Sequence, residues 1–186
     1  MELSNRNSNF QSALQQLEFK TYFRNQVGIF GYENLFANRR VAVFSIVNMY
    51  DSFSHLHFKQ YDQAYNNIVA AGIDQVYAIN SYELMFGPWA DKQSGNVMGL
   101  ANVDMKFVDI LSKYYTIEKP LIDMAKQWPF VTVIDNGVPE HIWQNTIKAN
   151  MQYRVTKKLA YRERRYNNLS PEILVKYLLA NNTQPF

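Results

Sequence analysis

The residues around position 50 hold the types that could do chemistry. Asp51-Ser52-Phe53-Ser54-His55-Leu56-His57 contains a His-x-His, and its first five residues supply the acid, hydroxyl and imidazole of a nucleophilic triad. On a strand, His55 and His57 would share one face and suit a metal. Here Asp51, Ser52 and Ser54 offer N-cap oxygens, so the pair opens a helix, where positions i and i+2 point apart. Asp51, the nearest acid, reads as a cap candidate rather than a third ligand. Capping accounts for Asp51 and Ser52 without catalysis, so neither a metal nor a cofactor is expected. Thiol chemistry is excluded, because the 186 residues include no cysteine. There is no thiolate nucleophile, no disulfide scaffold and no thiolate metal site.

A second chemistry-bearing stretch lies far downstream. Residues 148–165 carry Lys148, Arg154, Lys157, Lys158, Arg162, Arg164 and Arg165 against Glu163 alone, a charge of +6 in a chain of net +3. Tyr153, Tyr161 and Tyr166 interleave with these cations. Charge for phosphates and rings for bases is a pattern that nucleic-acid binders use. A solvated element packed through its tyrosines has the same look, and that plainer reading is preferred. An anionic partner held by Arg154, Lys157, Lys158, Arg162, Arg164 and Arg165 is the alternative.

The elements that must position these residues are legible from periodicity. Residues 1–18 are polar and rich in Asn and Gln, a frayed end or a short helix, and residues 19–186 read as one domain. An apolar fraction of 47% supports a full core. No apolar run is long enough to cross a bilayer, and the start lacks a secretory pattern, leaving the cytoplasm as the residual compartment. FKTYFRNQVGIF can hold a strand, with Glu33 to Phe36 leading into the core. Arg40 to Val47 predicts a buried, parallel strand. Tyr61, Ala64, Tyr65 and Ile68 mark one helix face, and Gly72 its stop. Gln75 to Ile79 is a second strand. Ser81 can cap a helix through Trp89, bent or delayed by Pro88. Val97 to Ala101 is a short strand and Met105 to Tyr115 a helix. Asn136-Gly137 joins Phe130–Ile134 to Val138–Trp143 as a hairpin. Ser170-Pro171 opens a final helix over 170–180.

VAVFSIVNMYDSFSHLHFKQY, then a helix, then GIDQVYAINSYELMFGPWADKQ, resembles the peroxiredoxins, especially their type-5 branch. Trp89-Ala90-Asp91-Lys92-Gln93 is similar to the family's Trp-Ala-x-x-Gln turn. Leu100-Ala101-Asn102 with Phe107 is similar to its Leu-Ala-Asp…Phe stretch. Lys126-Gln127-Trp128 precedes the hairpin as a basic residue and Trp do there. The likeness spans roughly residues 33–143 and 170–179. It implies an α/β, thioredoxin-like mixed sheet with helices on both faces.

The resemblance also implies what is missing. With His57 and Tyr61 laid on the family's His and Tyr, Phe53 takes the place of the peroxidatic cysteine. Tyr50 takes that of the threonine, Ile46 that of the loop proline and Pro129 that of the arginine. Phe53 has no acidic proton, and Pro129 has neither charge nor backbone N–H. Met49, Tyr50 and Phe53 are expected to fill the old pocket. The expectation is a pseudoenzyme that retains a binding or assembly role. Polyanion binding through residues 148–165, or replaced chemistry in the old pocket, are the alternatives. A homodimer is implied too, through a surface offering Tyr50, Phe53, Phe86 and Trp89.

Overall fold

The computed structural model describes residues 3–46, 52–80, 83–93, 95–101, 106–115, 129–144 and 169–182. The side chains of Ser52, Phe53, Glu83, Leu84, Met85 and Asp91 are excepted. In chain order the elements are α1 (Leu3–Leu14), β1 (Glu18–Phe23), β2 (Gln26–Gly31), α2 (Tyr32–Leu35) and β3 (Arg40–Ser45). They continue with α3 (Ser52–Ala70), β4 (Gln75–Asn80), α4 (Glu83–Gln93), β5 (Met98–Ala101), α5 (Lys106–Tyr114), β6 (Phe130–Asp135), β7 (Val138–Gln144) and α6 (Pro171–Asn182). The strands form one mixed sheet in the order β2-β1-β5-β4-β3-β6-β7. Strand β4 runs parallel to β3 and β5, and the other pairs are antiparallel. This is the α/β, thioredoxin-like sheet with helices on both faces that the sequence implies.

Side-chain alternation divides the core in two. On β3, Ala42 and Phe44 face a layer holding Phe58, Tyr61 and Ile68 of α3, Phe86 and Ala90 of α4, and Leu174 and Leu178 of α6. Val41 and Val43 face the opposite layer, with Phe10 and Leu14 of α1, Leu35 of α2, and Phe107 and Leu111 of α5. A strand buried on both faces reads as an uninterrupted apolar run, as β3 does. No described helix is long and apolar enough to cross a membrane.

Of its two expected forms, the amino-terminal polar stretch takes the short helix, with Phe10 and Leu14 fully buried one turn apart. Other elements differ from the sequence reading. FKTYFRNQVGIF forms two strands rather than one, reversing at Arg24 and Asn25 with φ of 48° and 62°. Pro88 sits inside α4, and Trp89 to Gln93 is helical rather than a turn. Helix α6 runs to Asn182, where its side chain donates to the Ala71 carbonyl and accepts from Arg40. Asn136 and Gly137 make the expected tight turn, with φ of 47° and 78°.

Candidate functional site

Parallel strands end together, and their carboxyl ends gather the polar atoms of this fold's sheet. Strand β3 ends in Ser45 and Ile46, and β4 in Asn80. All three are buried. The Ile46 N–H donates to the Ile79 carbonyl at 2.8 Å. The Asn80 amide donates to the Ile46 carbonyl, closing the strand ends. Ser45 Oγ accepts from the Phe130 N–H at 2.8 Å. Pro129, just before it, is buried beside this seam. The seam is fully hydrogen-bonded backbone capped by two small polar side chains.

Helix α3 starts beside the seam and turns one face into it. Ser54, His57, Phe58 and Tyr61 are buried, at successive turns of that face. Phe44 stacks on Tyr61 at 4.2 Å between ring centroids, and its edge meets His57 at 5.3 Å. His57 also lies edge-on to Tyr61 at 5.1 Å. Burial lowers the His57 pKa from 6.5 to about 3, so its imidazole is neutral at physiological pH. The Tyr61 hydroxyl donates to the Leu169 carbonyl at 2.8 Å, and burial pushes its pKa well above the ordinary phenol value.

His55 turns elsewhere. Its Nε2 accepts from Trp89 Nε1 at 2.8 Å, joining α3 to α4. The His-x-His therefore points in two directions, as helical spacing requires. Among the described residues no cluster of three or more His, Cys, Asp or Glu is placed to hold a metal. Trp89 packs on Phe58 and Phe86, with ring centroids 5.4 Å and 5.9 Å away. Helix α4 approaches β1 so closely that a Cβ on Gly87 would lie 2.1 Å from the Tyr22 ring.

The structure thus brings Ile46, His57 and Pro129 to one end of the sheet. Phe53 lies in the first turn of α3, while Met49, Tyr50, Asp51 and the basic residues 148–165 fall outside the described residues. Phe86, expected on an intersubunit surface, is instead fully buried in the chain's own core, and Trp89 is half-buried. Phe86 is one helical turn from Ala90, and together they form the inward face of α4. Sequence reasoning missed Ser45 and Asn80, whose signal is a lone polar residue closing each apolar run, VAVFS and QVYAIN. Two clefts lie among the described residues, of about 870 Å³ beside Leu17 to Lys20 and about 590 Å³ beside Arg6 and Tyr115, and neither is lined by Ile46, His57 or Pro129.

The arrangement can hold a fold together and keep water out. Its titratable groups are a neutral imidazole and a phenol that holds its proton, and it contains no thiol. The sequence matches no protein-family model and no curated protein. Solved structures do match. One is reduced Prx3 from Vibrio vulnificus in complex with hydrogen peroxide, at 18% identity and TM-score 0.60 over 83% of this chain and 95% of that one. Another is the bacterioferritin comigratory protein of Xanthomonas campestris, at 8% identity and TM-score 0.64 over 91% and 94%. A third is peroxiredoxin 5 from Alvinella pompejana, at 13% identity and TM-score 0.55 over 82% and 94%. The chain has the peroxiredoxin form of the thioredoxin fold and no cysteine to go with it.

Proposed function

We propose that this chain is a pseudoenzyme, a peroxiredoxin fold that does not reduce peroxide and serves in binding or assembly as a homodimer. The observation that carries this reading is a peroxiredoxin scaffold without a single cysteine. Peroxide reduction by this scaffold needs a thiolate to attack the O–O bond. The buried Ile46, His57 and Pro129 support it, since none of the three offers a charge to a thiolate or a peroxide at physiological pH. Phe53 and Tyr50 would complete the replacement in place of the cysteine and threonine. The cytoplasm is the compartment this reading assumes.

The test is turnover of hydrogen peroxide and of an alkyl hydroperoxide with dithiothreitol or thioredoxin as reductant. The expected rate is that of the buffer blank. Turnover above the blank overturns the reading. A second reading, polyanion binding, is favoured by the +6 charge of residues 148–165. It predicts oligonucleotide binding that weakens steeply as salt rises.

A further inference from the structure

The two edges of the sheet are built differently. The β7 edge carries Pro139 and Glu140, is irregular opposite Val133 and Ile134, and is flanked by the Tyr177 ring of α6. Proline, charge and bulges are the usual means of keeping an edge strand from pairing. The β2 edge has none of them. Its sequence QVGIFG is uncharged, and Val27, Ile29 and Phe30 are 56%, 69% and 39% exposed.

The backbone polarity of that edge follows from its hairpin. A two-residue turn makes Phe23 and Gln26 a hydrogen-bonded pair. By alternation Gln26, Gly28 and Phe30 bond inward to β1, whereas Val27 and Ile29 present their N–H and C=O outward. Exposed apolar side chains and outward backbone groups thus coincide on the same two residues.

We infer that β2 pairs antiparallel with β2 of a second copy of this chain, about a two-fold axis at Gly28. This rests on the homodimer proposed above and names its surface. In that register Val27 lies opposite the partner's Ile29, and Ile29 opposite the partner's Val27. Their outward N–H and C=O groups satisfy one another, and Gly28 faces itself without crowding. Both outward residues are apolar and exposed, and the edge carries no charge to repel its copy, so the strand complements its own reverse about Gly28. The pairing is isologous and closes as a dimer, joining two sheets edge to edge.

The test compares Ile29→Lys, on the edge, with Leu56→Lys, on the exposed side of α3, by sedimentation equilibrium. Amide exchange of the unaltered protein is followed at high and low concentration, and circular dichroism checks each variant's fold. The expected result is a dimer for the unaltered chain and for Leu56→Lys, and a folded monomer for Ile29→Lys. Val27 and Ile29 amides should exchange at least about tenfold more slowly in the dimer than on dilution. A dimer in which these amides exchange freely, or that survives in folded Ile29→Lys, overturns the β2 pairing and leaves the homodimer standing. A chain that stays monomeric at every concentration overturns both. Should Ile29→Lys fail to fold, the amide measurement alone decides.

Discussion

His57 is a titratable ring sealed among aromatic ones, and its pKa links it to stability. The folded chain keeps it neutral down to about pH 3, while the unfolded chain takes up a proton near 6.5. Its contribution is therefore whole above pH 6.5 and is lost as pH falls from 6.5 towards 3. The slope from this one residue is about 1.4 kcal/mol per pH unit. His57→Leu should flatten the pH dependence of urea unfolding by that slope between roughly pH 6 and 4.5. An unchanged slope would show that the native protein protonates His57 in place. Tyr61→Phe should lower stability by about 1–2 kcal/mol, because the Leu169 carbonyl loses its donor. Phe53→Cys should not restore efficient turnover. On our proposed placement of Pro129 at the arginine's position, one electrostatic donor is missing, worth about 100- to 1000-fold in rate. A single variant matching an ordinary peroxiredoxin would refute that placement. The burial of His57 has a sequence signal that periodicity offers. Extending the stripe Tyr61, Ala64, Tyr65, Ile68 one turn back reaches His57.

At the scale of elements, turns and clamps set what can change. In the β6–β7 turn, a Cβ on Gly137 would lie 2.4 Å from the Tyr32 ring, and its φ is 78°. Gly137→Ala should destabilise by roughly 2 kcal/mol or more, read from chemical melts. Arg40 of β3 reaches across β6 to Glu140 of β7 with contacts of 2.6 and 2.9 Å, and to Asn182 of α6 at 2.8 Å. The side-chain bond with Glu140 raises the Arg40 pKa, against a lowering by burial. Lysine cannot reproduce this fork, so Arg40→Lys should cost about 1 kcal/mol. Which elements were legible follows from the same physics. Asn136-Gly137 announces its turn because both residues tolerate positive φ. Arg24-Asn25 adopts the same geometry with a residue that rarely does, so its hairpin reads as one strand. Strand β3 is legible because burial on both faces leaves no polar interruption. The seam is less so, because Ser45 and Asn80 come to it only when strands from distant parts of the chain meet.

The whole molecule is two apolar layers sharing one sheet. Phe10→Ala in one layer should cost about 3–5 kcal/mol, and Leu174→Ala in the other about 2–5 kcal/mol. Because β1, β3, β4, β5 and β6 each place side chains in both layers, each variant should melt in a single transition seen alike by far-UV and near-UV dichroism. Two separable transitions would mean that the layers fold independently. The fold persists at 8–18% identity to peroxiredoxin structures, which fits a scaffold specified by pattern and volume rather than by its reacting atom.

The order of strands in space differs from their order of synthesis. Strand β3 sits deep in the sheet, yet its neighbour β6 lies far later in the chain, with Arg40 opposite Asp135. A ribosome adding about 5–20 residues per second reaches β6 roughly 5–20 s after β3. Through that interval a strand with five successive buried residues has one bare flank. Nascent chains arrested just before residue 130 should therefore bind holdase chaperones, and those arrested well beyond 144 should do so less.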